Sequence, residues 1–244
     1  MKFEDIFKVK KPVIAMLHLN GVDNWDRMEN AKKEIQQIYD SGVDGILVED
    51  YFGDVCDMMN ALHWLQMYYP DHVYGVNVLA DFERSHQMAK TYGAKFMQVD
   101  SIRGHLYPEQ DEQYAKMIES VRDGSIFVMG GVRFKYNPVN SGKPLDYDLK
   151  VGMERCDSIV VTGEGTGINT DIEKIREFRR IIGDFPLIVG AGMTIDTCVE
   201  QLSIADGAIV GTWFKEDGMT RNPVSPERMT AFMQKVKELR ETLE

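Results

Sequence analysis

Short apolar runs alternate along this chain with stretches in which apolar residues recur every three or four positions. The runs are Val13–Leu19, Val43–Asp50, Val73–Leu79, Lys95–Asp100, Ser125–Lys135, Ser158–Thr162, Pro186–Val189 and Ala208–Val210. Their length and their content of Val and Ile predict buried strands. Helical spacing fills the gaps. Met28, Ala31, Ile35 and Ile38 share one face of a helix over about 27–39. Further helices are predicted over about 54–69, ending before Pro70, over 81–92, ended by Gly93, and over 111–121 and 145–155. Thr170-Asp171-Ile172-Glu173 reads as a capping box that opens the next helix. Thr194 reads as the N-cap of another, and Ser225-Pro226 starts the last, with Met229, Phe232, Met233, Val236 and Leu239 as its apolar stripe. Ser101–Gln110 and Glu164–Gly167 read as loops, and Asn137–Lys143 as a mobile loop over the mouth.

Eight strands alternating with eight helices predict a parallel sheet, and in a chain of 244 residues they predict a single domain, residues 1–244, folded as a (β/α)8 TIM barrel. A doubly wound open sheet is the runner-up, but no G-x-G-x-x-G follows the first strand. The barrel reading makes the segment 186–215 informative. Its two strands each stop at glycine, and the loops after strands 7 and 8 of such barrels form the common phosphate site. Backbone amides of Gly163, Gly190, Gly192, Gly211 and Thr212 are therefore the expected phosphate cradle, which makes this a barrel of the phosphate-binding type.

The formal net charge of −11 argues against nucleic acid or an anionic membrane surface as the main partner, but not against a phosphorylated small molecule held by a few amides. Cys56, Cys156 and Cys198 are too scattered for a zinc ribbon or a disulfide framework, which favours a reduced, cytoplasmic setting. No run approaches the length of an integral membrane segment, and the start of the chain does not read as a secretory signal. A homo-oligomer is compatible with the pattern, and no interface is legible.

Barrel chemistry sits where strands end. Strand by strand, the ends carry His18 and Asn20, Glu49-Asp50, Asn77, Asp100-Ser101, Arg133 with Lys135, and Thr162-Gly163. His18 has the titration range of a proton shuttle. If Glu49 and Asp100 face one another, one should hold a proton and act as acid or base. Lys135 could bind an anion, pair with an acid or form an imine. These four are the catalytic candidates, and Asn77, Arg133 and Thr162 are the expected substrate-binding residues. Tyr51, Tyr136 and Trp213 could stack on a ring. No cofactor is expected. The open alternative is a divalent metal on His18, Glu49, Asp54 and Asp100, without the tight spacing of a known metal motif.

The runs KPVIAMLHL at 11–19, GVDGILVEDYFGD at 42–54, YGVNVL at 74–79, IVVTGEGTG at 159–167, LIVGAGMT at 187–194 and ADGAIVGTWFKEDGMTRNPV at 205–224 together resemble the BtpA/SgcQ family. The resemblance implies a phosphate-binding TIM barrel, with His18, Glu49 and Asn77 at strand ends and Gly190, Gly192, Gly211 and Thr212 in the phosphate loops. Members have been tied to photosystem I assembly, to sugar-uptake genes and to phosphoribosylanthranilate isomerase-like labels. This sequence departs from the pattern in NGVDNWD after His18, in Asp50 and Asp100 where Asn is expected, and in FKY where a Lys-His pair is expected. The leading expectation is an enzyme acting on a sugar phosphate or other phosphorylated metabolite, of isomerase, epimerase or aldolase type, with glycosidic or ribosyl bond cleavage by the two carboxylates beside it. The alternatives are a non-catalytic membrane-complex or photosystem assembly factor and a metal-dependent hydrolase.

Overall fold

The structure, a computed structural model, describes residues 1–243. Eight parallel strands close on themselves in sequence order: β1 (Val13–Leu17), β2 (Gly45–Glu49), β3 (Tyr74–Asn77), β4 (Phe96–Arg103), β5 (Phe127–Val132), β6 (Ser158–Val161), β7 (Leu187–Val189) and β8 (Gly207–Val210). β8 pairs back onto β1 through Val13 and Ala208, which makes the sheet a TIM barrel. The outer ring is α2 (Asn24–Asp40), α3 (Val55–Tyr68), α4 (Phe82–Tyr92), α5 (Pro108–Val121), α6 (Leu145–Arg155), α7 (Ile172–Ile182), α8 (Cys198–Ile204) and α9 (Pro226–Glu241).

Side chains alternate between two cores. Those facing outward pack under the helices: Val13, Leu17 and Val48 meet Ile35, Leu62 and Phe232. Those facing inward fill the barrel: Ile14, Met16, Leu47, Phe96, Phe127, Met129, Val160, Ile188 and Ile209. Gly75 belongs to this inner packing, because a Cβ there would lie 2.3 Å from the Phe96 ring. A short helix, α1 (Phe3–Ile6), caps the end of the barrel where the strands begin. Phe7 just after it lies 5.9 Å from the Phe96 ring, and Phe3 lies 6.0 Å from the Phe127 ring. The hydropathy pattern gave no sign of this helix, because only its buried contacts define it.

Other boundaries also differ from expectation. β4 runs on to Arg103 through an irregularity after Val99, and Ser101–Arg103 is strand, not loop. Arg103 belongs to the strand because Asp111 and Asp148 neutralise it. β5 stops at Val132, where Arg133 turns into left-handed backbone. Pro108 fits the first turn of α5, so that helix starts before residue 111. Asp171, not Thr170, caps α7. The Thr170 hydroxyl instead donates to the Ala191 carbonyl, 2.9 Å away, and stitches the loop after β6 to the loop after β7. Thr194 does not cap α8. The Thr197 hydroxyl accepts from the Thr194 amide in a turn that precedes the helix. The segment 137–143 is tied down: Asn140 donates to the His105 carbonyl, Ser141 to the Asp148 carboxylate, and Arg133 to the Lys143 carbonyl.

No helix among the described residues is long and apolar enough to cross a membrane.

Candidate active site

The strand ends open into a cavity of about 260 Å³. Strand order fixes its two sides. β1 to β5 supply His18, Glu49, Asp100 and Lys135, and the loops after β7 and β8 supply Gly190, Gly192, Gly211 and Thr212.

The acidic side is built on Asn77. Its register neighbour on β2 is Glu49, so the two side chains emerge next to each other. The Asn77 amide nitrogen donates both to Glu49, at 2.7 Å, and to Asp100, at 3.0 Å. Gln98 gives Asp100 a second donor at 2.8 Å. Asn77 is thus a buried bridge between carboxyl groups and does not line the cavity. Burial, reinforced by the neighbouring Asp100 charge, raises Glu49 to about 8, with Lys135 and Asn77 pulling the other way. Burial also raises Asp100, against the donors Asn77 and Gln98 and the charge of Lys135. Near neutrality Glu49 therefore carries a proton next to its more readily ionised partner.

His18 does not titrate in the usual imidazole range. It is buried, and the charges of Lys215 and Lys135 lie close, so its proton affinity is pushed down to about 3. It is a neutral imidazole at neutral pH, 3.8 Å from a protonated Glu49, and the contact is no ion pair. Its ring sits against Tyr51, with centroids 5.0 Å apart, and its Nδ1 is buried with no hydrogen-bond partner among the described residues. Lys135 is positioned by its backbone, whose N–H donates to the Thr162 hydroxyl at 2.9 Å, and its Nζ lies 3.3 Å from the Thr166 hydroxyl.

Several expected residues lie elsewhere. Thr162 is a buried support for Lys135 and not a cavity residue. Arg133 is drawn out of the mouth by Asp148, 2.9 Å from its Nη2. Gly163 is outside the cavity, wedged against the Asn169 and Ile168 carbonyls. Asp54 is the N-cap of α3, accepting from the Cys56 and Asp57 amides, so it is unavailable to a metal shared with His18. Among the described residues no three His, Cys, Asp or Glu gather as a metal-holding group. Tyr51 and Tyr136 do line the cavity, whereas Trp213 lies under Arg228. Gln98, Thr166 and Gly167 also line it and escaped the sequence reading. Gln98 left one trace, as a polar residue inside the apolar run of β4.

On the glycine side, the Gly190 amide is already committed to the Val161 carbonyl at 2.8 Å. The amides of Gly192, Gly211 and Thr212 donate to nothing within the described residues. Gly192 has left-handed backbone (φ +67), and a Cβ on it would lie 1.9 Å from the Ile168 carbonyl oxygen. No other residue lets the loops after β6 and β7 close this tightly.

Solved structures share this architecture. One described as the native KDPGal structure superposes with a TM-score of 0.64 at 13% identity, covering 99% of this chain and 100% of that one. Phosphoribosyl anthranilate isomerase from Thermus thermophilus gives 0.60 at 12%, covering 93% and 99%. At such identities the likeness concerns the fold alone. Sequence relatives run nearly end to end. TK2179 of Thermococcus kodakarensis is 32% identical, over 96% of this chain and 98% of that one. The sgc region protein SgcQ of Escherichia coli is 24% identical over 97% and 98%. The photosystem I biogenesis protein BtpA of Synechocystis is 25% identical over 95% and 90%. The model of the BtpA family matches residues 71–238, more than half of the sequence, and the chain belongs to that family.

Proposed function

We propose that the protein is an enzyme that moves a proton on, or cleaves a carbon–carbon bond in, a small phosphorylated metabolite. One observation carries this reading: a carboxyl pair joined through Asn77, with Lys135 beside it, faces three unspent amides across one cavity. The amides of Gly192, Gly211 and Thr212 suit the phosphate. Glu49, which holds its proton near neutrality, donates it, and Asp100 accepts one from carbon. Lys135 offsets the negative charge that develops on oxygen. His18, a neutral imidazole in the cavity lining beside Glu49, packs against the substrate and adds no charge there. This pairing of roles matches isomerase, epimerase or aldolase chemistry.

The test is solvent-deuterium incorporation into a panel of sugar phosphates, followed by NMR. The wild type should label at least one of them, and Glu49→Gln should label it about 10²–10⁴-fold more slowly. An equally active Glu49→Gln removes Glu49 from the chemistry. The name of the Synechocystis relative supports a second reading, an assembly role, under which substitutions at the mouth leave function intact.

A further inference from the structure

Gly167, Gly192, Gly211 and Thr212 line both the mouth cavity and a second one of about 370 Å³, whose far wall includes Thr194, Gly218 and Arg228. Alone, the first falls below the roughly 300–1,000 Å³ usual for small-molecule sites, and the two together lie within it. Arg228 stands in the first turn of α9 and is held in place twice. Its Nε donates to the Trp213 carbonyl at 2.7 Å, and its guanidinium lies 3.9 Å from the Trp213 ring centroid. Most arginines of this chain pair with a carboxylate; Arg228 pairs with none among the described residues. Both of its Nη groups lack an acceptor there, and Nη2 points toward Gly218, 3.4 Å from where a Cβ would sit. Asp217 borders the same space, so amides alone would receive an anion against a neighbouring carboxylate. An immobilised guanidinium with two spare donor groups reverses that local sign and matches two phosphate oxygens at once.

We infer that Arg228 is the side-chain half of the phosphate site: the phosphate lies in the second cavity between the amides of Gly192, Gly211 and Thr212 and the two Nη groups of Arg228, and the rest of the substrate extends into the carboxyl-lined chamber. The inference rests on the phosphorylated-substrate reading above and narrows it. The substrate is a phosphate monoester long enough to cross the rim of Gly192, Gly211 and Thr212 that borders both cavities, with its phosphate on one side and its reacting carbons on the other. Arg228 acts on binding, through contact with the phosphate, and not on the proton transfer.

Calorimetric titration of the full chain with inorganic phosphate tests this, with the melting temperature of each phosphate-free variant as the folding control. Arg228→Gln should bind at least about tenfold more weakly than wild type, and Arg228→Lys, which keeps the charge but loses the fork, should fall between them. Gly211→Asp should not bind, since it places a carboxylate beside the cradle, where a Cβ would lie 3.2 Å from Met16 and 3.4 Å from the His18 ring. Equal affinity of wild type and Arg228→Gln, with Gly211→Asp inactive in binding, overturns the role of Arg228 and leaves the phosphate reading standing. If Arg228→Gln does not fold, wild-type affinity in Arg228→Lys overturns the two-pronged contact. A wild type that ignores phosphate, or a Gly211→Asp that binds it normally, overturns the cradle and the inference together.

Discussion

Glu49 shows how one side chain couples chemistry to stability. An unfolded glutamate ionises near 4.5, and in the fold this one does so near 8. Below 4.5 both states hold the proton; between the two values only the native state does. The contribution of Glu49 to stability is therefore complete below 4.5 and is lost as pH rises through 8. His18 runs the other way, from 6.5 down to about 3, and its contribution is complete above 6.5 and lost as pH falls through 3. In Glu49→Gln the alkaline loss should vanish. The melting temperature of the variant relative to wild type should climb by several degrees between pH 5 and pH 8, at about 2–4 °C per kcal/mol for a chain of this size. A constant difference across that range would show that Glu49 ionises normally. Asp100→Asn removes the charge that helps to hold up Glu49, so the Glu49 carboxyl should titrate at lower pH, followed directly by carbon-13 NMR; an unmoved titration would show that Asp100 does not act on Glu49. The positions of His18, Glu49 and Asp100 were legible as polar residues ending apolar runs. Their protonation was not, because Lys215, buried against Glu34 and far away in sequence, helps to set that of His18.

Elements were legible where their hydropathy was periodic and illegible where a tertiary contact defines them. All eight strands follow from short apolar runs, but β4 continues past Asp100 only because Arg103 finds Asp111 and Asp148. The segment 137–143 has the composition of a free loop, yet it is pinned by the same Asp148, which accepts from Ser141, Arg133 and Arg103. Nothing in its own residues announces that. The α1 segment is the clearest case. Phe7 is 4% exposed and packs against the inner aromatic layer at the end of the barrel opposite the mouth. Phe7→Ala should cost about 3–5 kcal/mol in denaturant unfolding, the usual loss for a buried phenylalanine, and leave the Michaelis constant unchanged. A change in Michaelis constant would show that this end of the barrel shapes the mouth.

At the scale of the molecule, closure of the barrel decides which residues meet. β4 lies across from β8, so Asp100 confronts Gly211 although neither the spacing nor the composition of the two segments links them. The alternation of strands and helices foretold that circle, and with it the sides of the cavity. The depth of the cavity and its extension toward Arg228 depend on how the loops after β6, β7 and β8 close over Gly167, Gly192 and Thr212, a matter of three-dimensional fit that no window of sequence contains. Phe3 of α1 and Phe7 just after it, stoppering the far end, have a consequence for traffic. No passage runs through the barrel, so whatever enters must back out on the side it came from, and a departing molecule stands in the path of the next arrival.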